Sequence, residues 1–285
     1  MNTDQPISEK YQRAAQAILE ADGLLITAGA GMGVDSGLPD FRGTEGFWNA
    51  YPALGKLNID FQSIACPQAF HEDTTLAWGF YGHRLNIYRK TVPHDGFRIL
   101  REMAEKLPNG AFVATSNVDG QFQKAGFSEQ RIYELHGSIH RMRCLDGNCA
   151  TWSAATFFPK VDEENCRLIS ELPRCGTCGG FARPNILMFA DWDWNDGTSE
   201  IQQKRLNAWL AGVSNLVTIE IGAGKNIPKI RNLGERLDGY LIRINPQDYW
   251  VNPRRDGVSL AVGGLEALQL IKLDLMRFNV ARIKR

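Results

Sequence analysis

The chain has 285 residues, enough to bury the core of one large α/β domain or of a main domain with a smaller insertion. Its 32 Lys and Arg residues balance 32 Asp and Glu residues, so no overall field favours nucleic acid or an anionic membrane surface. The charge balance argues against both classes of partner, and any anionic ligand must be held by a local site.

The N-terminal stretch MNTDQPISEKYQRAAQ is polar and lacks the apolar core of a secretion signal. No apolar run approaches the roughly 20 residues of a membrane span. We therefore expect a cytoplasmic protein without a membrane or nucleic-acid partner. In a reducing compartment, the six cysteines are better explained as metal ligands, catalytic thiols or core side chains than as disulfides.

The first predicted element is an amphipathic helix over residues 8–22, where apolar side chains recur at helical spacing. The run GLLITAG then predicts a buried strand, and similar runs follow as GAFVATSN, RIYELHG, NILMFAD, NLVTIEIGAG and GYLIRINP. Helical patterns lie between several of these runs, as DGFRILREMAEKL and TSEIQQKRLNAWLAG, and LEALQLIKLDLMRF predicts a closing helix. This alternation predicts an α/β fold: a Rossmann-like parallel sheet with helices on both faces and its ligand at the carboxyl ends of the strands.

Two regions interrupt the alternation. Residues 43–92 are rich in aromatic side chains without a clear strand, and predict a helical insert. Residues 141–183 carry five of the six cysteines, four of them in two pairs, and predict a small separate module. We expect these two regions to form a small domain together, beside a main domain built from residues 1–42, 93–140 and 184–285.

The stretch TAGAGMG follows the first predicted strand and exposes much bare backbone. Glycine allows peptide N–H groups to approach a pyrophosphate closely, so the stretch is a candidate nucleotide-binding loop. The dinucleotide pattern G-x-G-x-x-G is not met, because Val34 occupies the third glycine position. Taken alone, the stretch is equally explained by a turn that connects a strand to a helix.

The cysteines fall into two pairs, Cys144-x4-Cys149 and Cys175-x2-Cys178, separated by a polar stretch. Four thiolates with this spacing predict one structural Zn²⁺ in residues 141–183, with redox or free thiols as the alternative. A closed site of four cysteines has no open position, so the ion is expected to brace the module and take no part in chemistry.

The glycine stretch continues into SGLPDFRG, and together they resemble the first motif of the sirtuins, the NAD-dependent protein deacylases and ADP-ribosyltransferases. The segments TSNVDG, ELHG, GGFARPNILMFAD, EIGAGKNIP and RINPQ are similar to further sirtuin motifs in the same order, over about residues 22–247. Sirtuins also carry a four-cysteine module at this point. The chain departs from the family pattern where Gly33 replaces Ser, Ser116 replaces Gln and Ala190-Asp191 replaces Gly-Glu, and it resembles a divergent bacterial-type member.

The resemblance implies roles for individual residues. His136 would be the general base, and Asn117 would hydrogen-bond the nicotinamide ribose; both are the predicted catalytic residues. Read without the family, TSNVDG is more typical of a turn or helix cap, and a lone histidine is more often structural. The residues implied to bind NAD are Gly29, Ala30, Gly31, Asp40, Phe41, Arg42, Ser116, Asn117, Val118, Asp119, Gly222, Ala223, Gly224 and Asn245. Among them, Asp40, Phe41 and Arg42 would begin a mobile lid over the nicotinamide ribose.

The implied function is that of an NAD-dependent protein-lysine deacylase, which cleaves the nicotinamide glycosidic bond and transfers the acyl group of an acylated lysine to ADP-ribose. The partners would be NAD and an acylated protein or peptide. Because the segments around FADWDWNDG and GAGKNIP depart from the family where a peptide should lie, ADP-ribosyl transfer or NAD hydrolysis is an alternative. A non-catalytic NAD-binding zinc module is a second alternative. The aromatic side chains of residues 43–92 are expected to form core, with an acyl tunnel as the other interpretation.

Overall fold

The structure is a computed structural model and describes residues 7–40, 43–192, 194 and 197–283. Within these ranges, none of the helices combines the length and the apolar character needed to cross a membrane.

The elements alternate along the chain as the sequence predicts. The helices are α1 (Ile7–Glu20), α2 (Gly43–Ala50), α3 (Pro52–Lys56), α4 (Phe61–Ile64), α5 (Pro67–Glu72), α6 (Thr74–Lys90), α7 (Asp95–Ala104), α8 (Gln121–Lys124), α9 (Gly197–Leu210), α10 (Lys229–Arg236) and α11 (Gly264–Ile283). The strands are β1 (Gly23–Ala28), β2 (Ala111–Thr115), β3 (Ile132–Glu134), β4 (Gly137–Cys144), β5 (Trp152–Ser153), β6 (Val161–Asp162), β7 (Arg167–Leu168), β8 (Ala182–Ile186), β9 (Leu216–Ile221), β10 (Tyr240–Ile244) and β11 (Gly257–Leu260). Short 3₁₀ turns cover Ala30–Met32, Val34–Ser36 and Glu129–Arg131.

The main sheet has six parallel strands in the order β11-β10-β9-β1-β2-β3. Every residue of β1 and β9 is buried, as expected for central strands covered on both faces. Side chains of α1, α7 and α11 pack on one face of the sheet, and those of α9 and α10 pack on the other. The predicted Rossmann-like fold is therefore confirmed.

The strand pairing brings several strand ends to one edge of the sheet. Ala28 at the end of β1 pairs with Thr115 of β2 and with Ile221 of β9, and Ile221 pairs with Ile244 of β10. The chain moves outward from β1 through β2 to β3, and then returns to β9 on the other side of β1. Such a reversal opens a crevice at the carboxyl edge, where ligands of open α/β sheets bind.

A second sheet differs from the sequence expectation. The run NILMFAD was expected to supply a strand of the main sheet, but β8 ends at Ile186 and pairs antiparallel with β4 in the order β5-β4-β8. An apolar run specifies burial and not the partner strand, so the pattern could not distinguish the two sheets. β11 was not predicted, since its four residues are too short a pattern.

The aromatic insert forms a core of its own. Tyr51, Trp78, Phe80 and Tyr81 are buried in one cluster, and Trp48 packs against it, which confirms their interpretation as core. The same cluster contains side chains of β4 and β8, so it joins the insert to the cysteine module. The division into a main domain and a small domain stays a prediction, and its bounds at residues 140/141 and 183/184 fall inside β4 and β8.

Candidate functional site

Two glycine-containing loops meet at the carboxyl edge: the first glycine loop, residues 29–38 after β1, and the second glycine loop, residues 222–228 after β9. The N–H of Gly29 donates to the carbonyl of Ile221 at 3.0 Å, and that of Gly31 donates to the carbonyl of Gly222 at 3.2 Å. A Cβ on Gly31 would lie 2.7 Å from Cα of Gly222, and one on Gly29 would lie 2.6 Å from the Gly222 oxygen. Glycine is therefore required at these positions because the two loops lie in direct contact.

Because of this contact, only some backbone N–H groups of the two loops remain available to bind a ligand. The N–H groups of Gly29 and Gly31 donate to protein carbonyls, and that of Gly222 donates to the carbonyl of Ile244 at 3.0 Å. Ala30 and Gly224 are exposed at the same edge. Among the residues predicted to contact phosphates, these two are the best placed to do so, while the engaged glycines set the shape of the loops.

Gly31→Ala is expected to lower the free energy of unfolding by about 1–3 kcal/mol, the usual cost of overpacking, because the new methyl group would overlap Gly222. The matched control is Gly46→Ala in α2, where an added Cβ meets nothing within 4 Å and alanine favours the helix. Urea unfolding of both variants measures the difference. Equal stability of the two variants would contradict the close approach of the loops.

The residues after β2 are bonded to two neighbours: the Asn117 side chain to the first glycine loop, and the Ser116 backbone to the end of β1. The Asn117 Nδ2 donates to the carbonyl of Gly29 at 2.9 Å, and its backbone N–H donates to Oγ1 of Thr115 at 3.0 Å. The Ser116 N–H donates to the carbonyl of Ala28 at 3.0 Å. Asn117 therefore lies beside the loop that is implied to bind phosphates, and its predicted contact with the ribose stays a prediction.

His136 follows β3 at the same edge and is half-buried. Its Nδ1 lies 3.2 Å from the carbonyl oxygen of Ser116, and since a carbonyl only accepts, Nδ1 carries the proton of the neutral ring. Nε2 is then the basic nitrogen. Burial lowers the pKa of His136 to about 4, and the nearby charge of Lys229 lowers it further against the opposing hydrogen bond to Ser116. The imidazole is thus neutral at ordinary pH, although burial makes it a weaker base than a solvated histidine.

Asp119 and Val118 form the wall next to Asn117. Val118 is buried within the small-domain cluster, and Asp119 is 8% exposed. Burial raises the pKa of Asp119 to about 6, although its Oδ1 accepts a hydrogen bond from the N–H of Gln121 at 2.9 Å. His140 Nε2 lies 2.9 Å from the Asp119 carbonyl and so donates to it, which fixes the backbone here. His140 supports the site through Asp119.

Glu134 was not singled out in the sequence, although it lies two residues before His136. It is 6% exposed, and burial raises its pKa to about 7. Its carboxyl group accepts hydrogen bonds from Gln123 at 2.9 Å and from Gln202 at 3.5 Å. An acidic residue inside the apolar run RIYELHG was the available signal, because a charged side chain in a buried strand requires partners.

The remaining predicted contacts follow the first glycine loop and β10 along the sequence. Phe41 and Arg42 fall outside the described residues, and Asp40, which precedes them, is half-buried. Asn245 is 2% exposed; its Nδ2 donates to the carbonyl of Ala223 at 3.2 Å, and its Oδ1 accepts the N–H groups of residues 247 and 248. Asn245 therefore braces the second glycine loop, and its contact with the adenosine ribose stays a prediction.

The segment after β8 keeps a specific turn despite its altered residues. Ala190 stands where the resemblance has glycine and adopts the left-handed conformation, with φ of 52°. Asp191 forms an ion pair with Arg183 at 2.9 Å, and both side chains are almost fully buried. Oδ2 of Asp191 also accepts the N–H of Met188 at 3.3 Å, so the turn is held from both sides. The N–H of Leu187 donates to the carbonyl of His136 at 2.9 Å, which joins this segment to the site.

The thiol groups of the four paired cysteines lie close together. The Sγ atoms of Cys144, Cys149, Cys175 and Cys178 all lie within 4.8 Å of one another, and those of Cys144 and Cys178 are 3.5 Å apart. Burial and hydrogen bonds with the other three thiols raise the pKa of the Cys144 thiol. A divalent cation would compensate the thiolate charges, so the donor set fits one tetrahedral Zn²⁺.

Comparison with known sequences identifies a single family. The model of the Sir2 family matches residues 29–208. An NAD-dependent protein deacylase of Aquifex aeolicus is 32% identical over 59% of this chain and 62% of its own length. One of Pyrococcus abyssi is 31% identical over 85% of this chain and 89% of its own length, and the mitochondrial sirtuin-5 of Danio rerio is 27% identical over 80% and 76%. For the first of these relatives and two others, the match spans 59–63% of their length.

Solved structures share the fold. A Sir2 homologue in complex with NAD superposes with a TM-score of 0.69 at 23% identity, covering 92% of this chain and 93% of that one. A Sir2 variant with a deacetylated p53 peptide and 3′-O-acetyl-ADP-ribose gives 0.65 at 18% identity, covering 93% and 98%. These likenesses establish the Rossmann-like architecture with its small domain beside the sheet.

Proposed function

The chain belongs to the Sir2 family, and on that premise we propose that it is an NAD-dependent protein-lysine deacylase. The single observation that carries this proposal is His136, whose Nε2 is unprotonated and whose Nδ1 is held by the Ser116 carbonyl, next to Asn117 and its hydrogen bond to the first glycine loop. A protein that only binds NAD has no need of a positioned base. The relatives named as NAD-dependent protein deacylases support the same reaction.

The residues at the edge offer groups that could hold the separate parts of an NAD molecule. The exposed backbone of Ala30 and Gly224 would hold the pyrophosphate, while Asn117 would orient the nicotinamide ribose and Asp119 would bind the carboxamide. When bound, NAD supplies an electrophilic ribose carbon once its nicotinamide bond breaks. His136 Nε2 would then draw a proton from the ribose hydroxyls, so that a ribose oxygen can capture the acyl carbon.

The acylated-lysine substrate is the finer part of the proposal. The turn at Ala190, held by the buried Arg183–Asp191 ion pair, supports a preserved shape in the segment where sirtuins bind an acyl-lysine peptide. The hydrogen bond from Leu187 to His136 would keep this segment at a fixed distance from the base. We also propose a cytoplasmic location, which the lack of disulfides among the six cysteines supports.

One experiment tests the reaction. The protein is incubated with NAD and a library of acetylated peptides, and nicotinamide, O-acyl-ADP-ribose and protein-bound ADP-ribose are followed. Deacylation predicts nicotinamide and O-acyl-ADP-ribose in equal amounts. Nicotinamide release without acyl transfer would replace the proposal by ADP-ribosyl transfer or NAD hydrolysis, and no release would leave a non-catalytic NAD-binding module.

A further inference from the structure

We propose that His94 is a positioning residue that holds the first glycine loop in the conformation that binds NAD. The inference rests on the proposed function, since it concerns the loop that would contact the cofactor. His94 lies outside the segments whose resemblance to the family is described above, and it is the N-cap residue of α7.

His94 contacts the loop at two points. Its ring Nε2 lies 2.9 Å from the carbonyl oxygen of Met32, and its backbone N–H donates to Oγ of Ser36 at 2.9 Å. Met32 is fully buried in the main core and ends the first 3₁₀ turn of the loop, so the bond from His94 holds the end of that turn. Ser36 lies in the second 3₁₀ turn, and the two bonds together span the loop.

The same ring also caps α7, which determines its tautomer. Nδ1 of His94 accepts the N–H of Gly96 at 3.0 Å, so the proton of the neutral ring is on Nε2 and is donated to Met32. The imidazole thus serves two partners at once: the helix through Nδ1 and the loop through Nε2. A Cβ on Gly96 would lie 2.5 Å from Cε1 of His94, so glycine at this position makes room for the ring.

Other bonds hold the loop at separate points. The carboxylate of Asp35 accepts the N–H of Leu265 from the first turn of α11 at 2.8 Å, and the Gly29 carbonyl accepts the side chain of Asn117. Ala30, which would face the phosphates, lies between Gly29 and the Met32 carbonyl that His94 holds. The N–H of Gly31 also donates to the carbonyl of Gly222 at 3.2 Å, so release of Met32 would loosen the C-terminal end of the Ala30–Met32 turn while Gly29 and Gly31 stay held. Apparent affinity would then fall with the fraction of loops in the binding conformation.

Two substitutions separate the two bonds of the ring. His94→Asn keeps an N-cap acceptor for Gly96, but its amide is too short to reach the Met32 carbonyl. His94→Gln places an amide N–H at the length needed for Met32 and gives up the favourable cap. We expect His94→Asn to melt somewhat below the wild type, because it loses the bond to Met32 and the ring's edge contact with Phe97 at 5.0 Å, and to raise the Kd for ADP-ribose about five- to ten-fold. We expect His94→Gln to melt at a lower temperature and to bind ADP-ribose nearly as the wild type does.

Calorimetric titration with ADP-ribose and thermal unfolding of each variant provide the two measurements. Asp95→Asn is the matched control: it alters the first turn of α7 and its ion pair with Arg98 and leaves the bonds to Met32 and Ser36 in place, so ADP-ribose affinity should not change. If affinity follows melting temperature across the variants, or if His94→Asn binds as the wild type does, the positioning role is overturned. Failure of the wild type to bind ADP-ribose would instead overturn the proposed function.

Discussion

His136→Ala is expected to lower the rate of deacylation by about 10²- to 10⁴-fold, the usual contribution of a general base, while ADP-ribose still binds. The reason is the geometry of the ring: Ser116 holds Nδ1, so Nε2 is the nitrogen that takes the proton. Alanine removes that acceptor but leaves both glycine loops in place. Deacylation of an acetylated peptide at saturating NAD, together with calorimetric titration of ADP-ribose, measures the two effects separately.

The pH dependence distinguishes a base from a packing residue. Asp119, whose pKa burial raises to about 6, gives one fall in kcat/KM that the wild type and His136→Ala share. Because burial lowers the pKa of His136 to about 4, the wild-type base is neutral through the neutral range, and its protonation should add a second fall as the pH drops through that value. The residual activity of His136→Ala should lack this second fall. His71→Ala is the control, since His71 lies on the exposed side of α5 and pairs with Asp146 at 3.3 Å. A deacylation rate unchanged in His136→Ala would refute the assigned role.

The position of the site could be predicted from sequence because it depends on a regular feature of the fold. The glycine stretch, TSNVDG, ELHG and EIGAG each follow an apolar run, and the carboxyl ends of parallel strands meet at one edge. The registers that pair Ala28 with Thr115 and with Ile221 fulfil this expectation. The four-cysteine cluster could be predicted for a similar reason, since thiol spacing limits the geometry of a metal site.

The contacts between loops could not be predicted in the same way. The sequence indicates that Gly29 and Gly31 allow close approach, but the group that approaches is the backbone of Gly222, which is distant along the chain. The sequence likewise gave no reason to place His94 beside Met32, because that bond depends on how α7 packs against the loop. The prediction of the strand partner of β8 was wrong for the same reason. Local patterns indicate burial, while strand partners follow from tertiary packing.

The second prediction with a large effect concerns the cysteine module. Purified protein is expected to contain about one zinc ion per chain, and Cys175→Ser is expected to lose it, because three thiolates cannot close a structural site. Cys144 ends β4, while Cys175 and Cys178 precede β8, so the ion would join the two strands of the second sheet. Metal content by mass spectrometry and urea unfolding measure the change. Cys66→Ser is the control, since the Cys66 thiol donates to the Ser63 carbonyl and lies outside the cluster.

Loss of the ion should extend from the module to the catalytic edge. Binding free energy in such sites is folding free energy, so Cys175→Ser or a strong chelator should lower the free energy of unfolding by at least about 3 kcal/mol. β4 begins at Gly137, directly after His136, and β8 leads into Leu187, whose N–H holds the His136 carbonyl. Separation of β4 from β8 would release the base from its position, so we expect deacylation to fall together with stability. A zinc content near zero in the wild type, or full zinc retention in Cys175→Ser, would contradict the four-cysteine site; retained deacylation after zinc loss would contradict its coupling to His136.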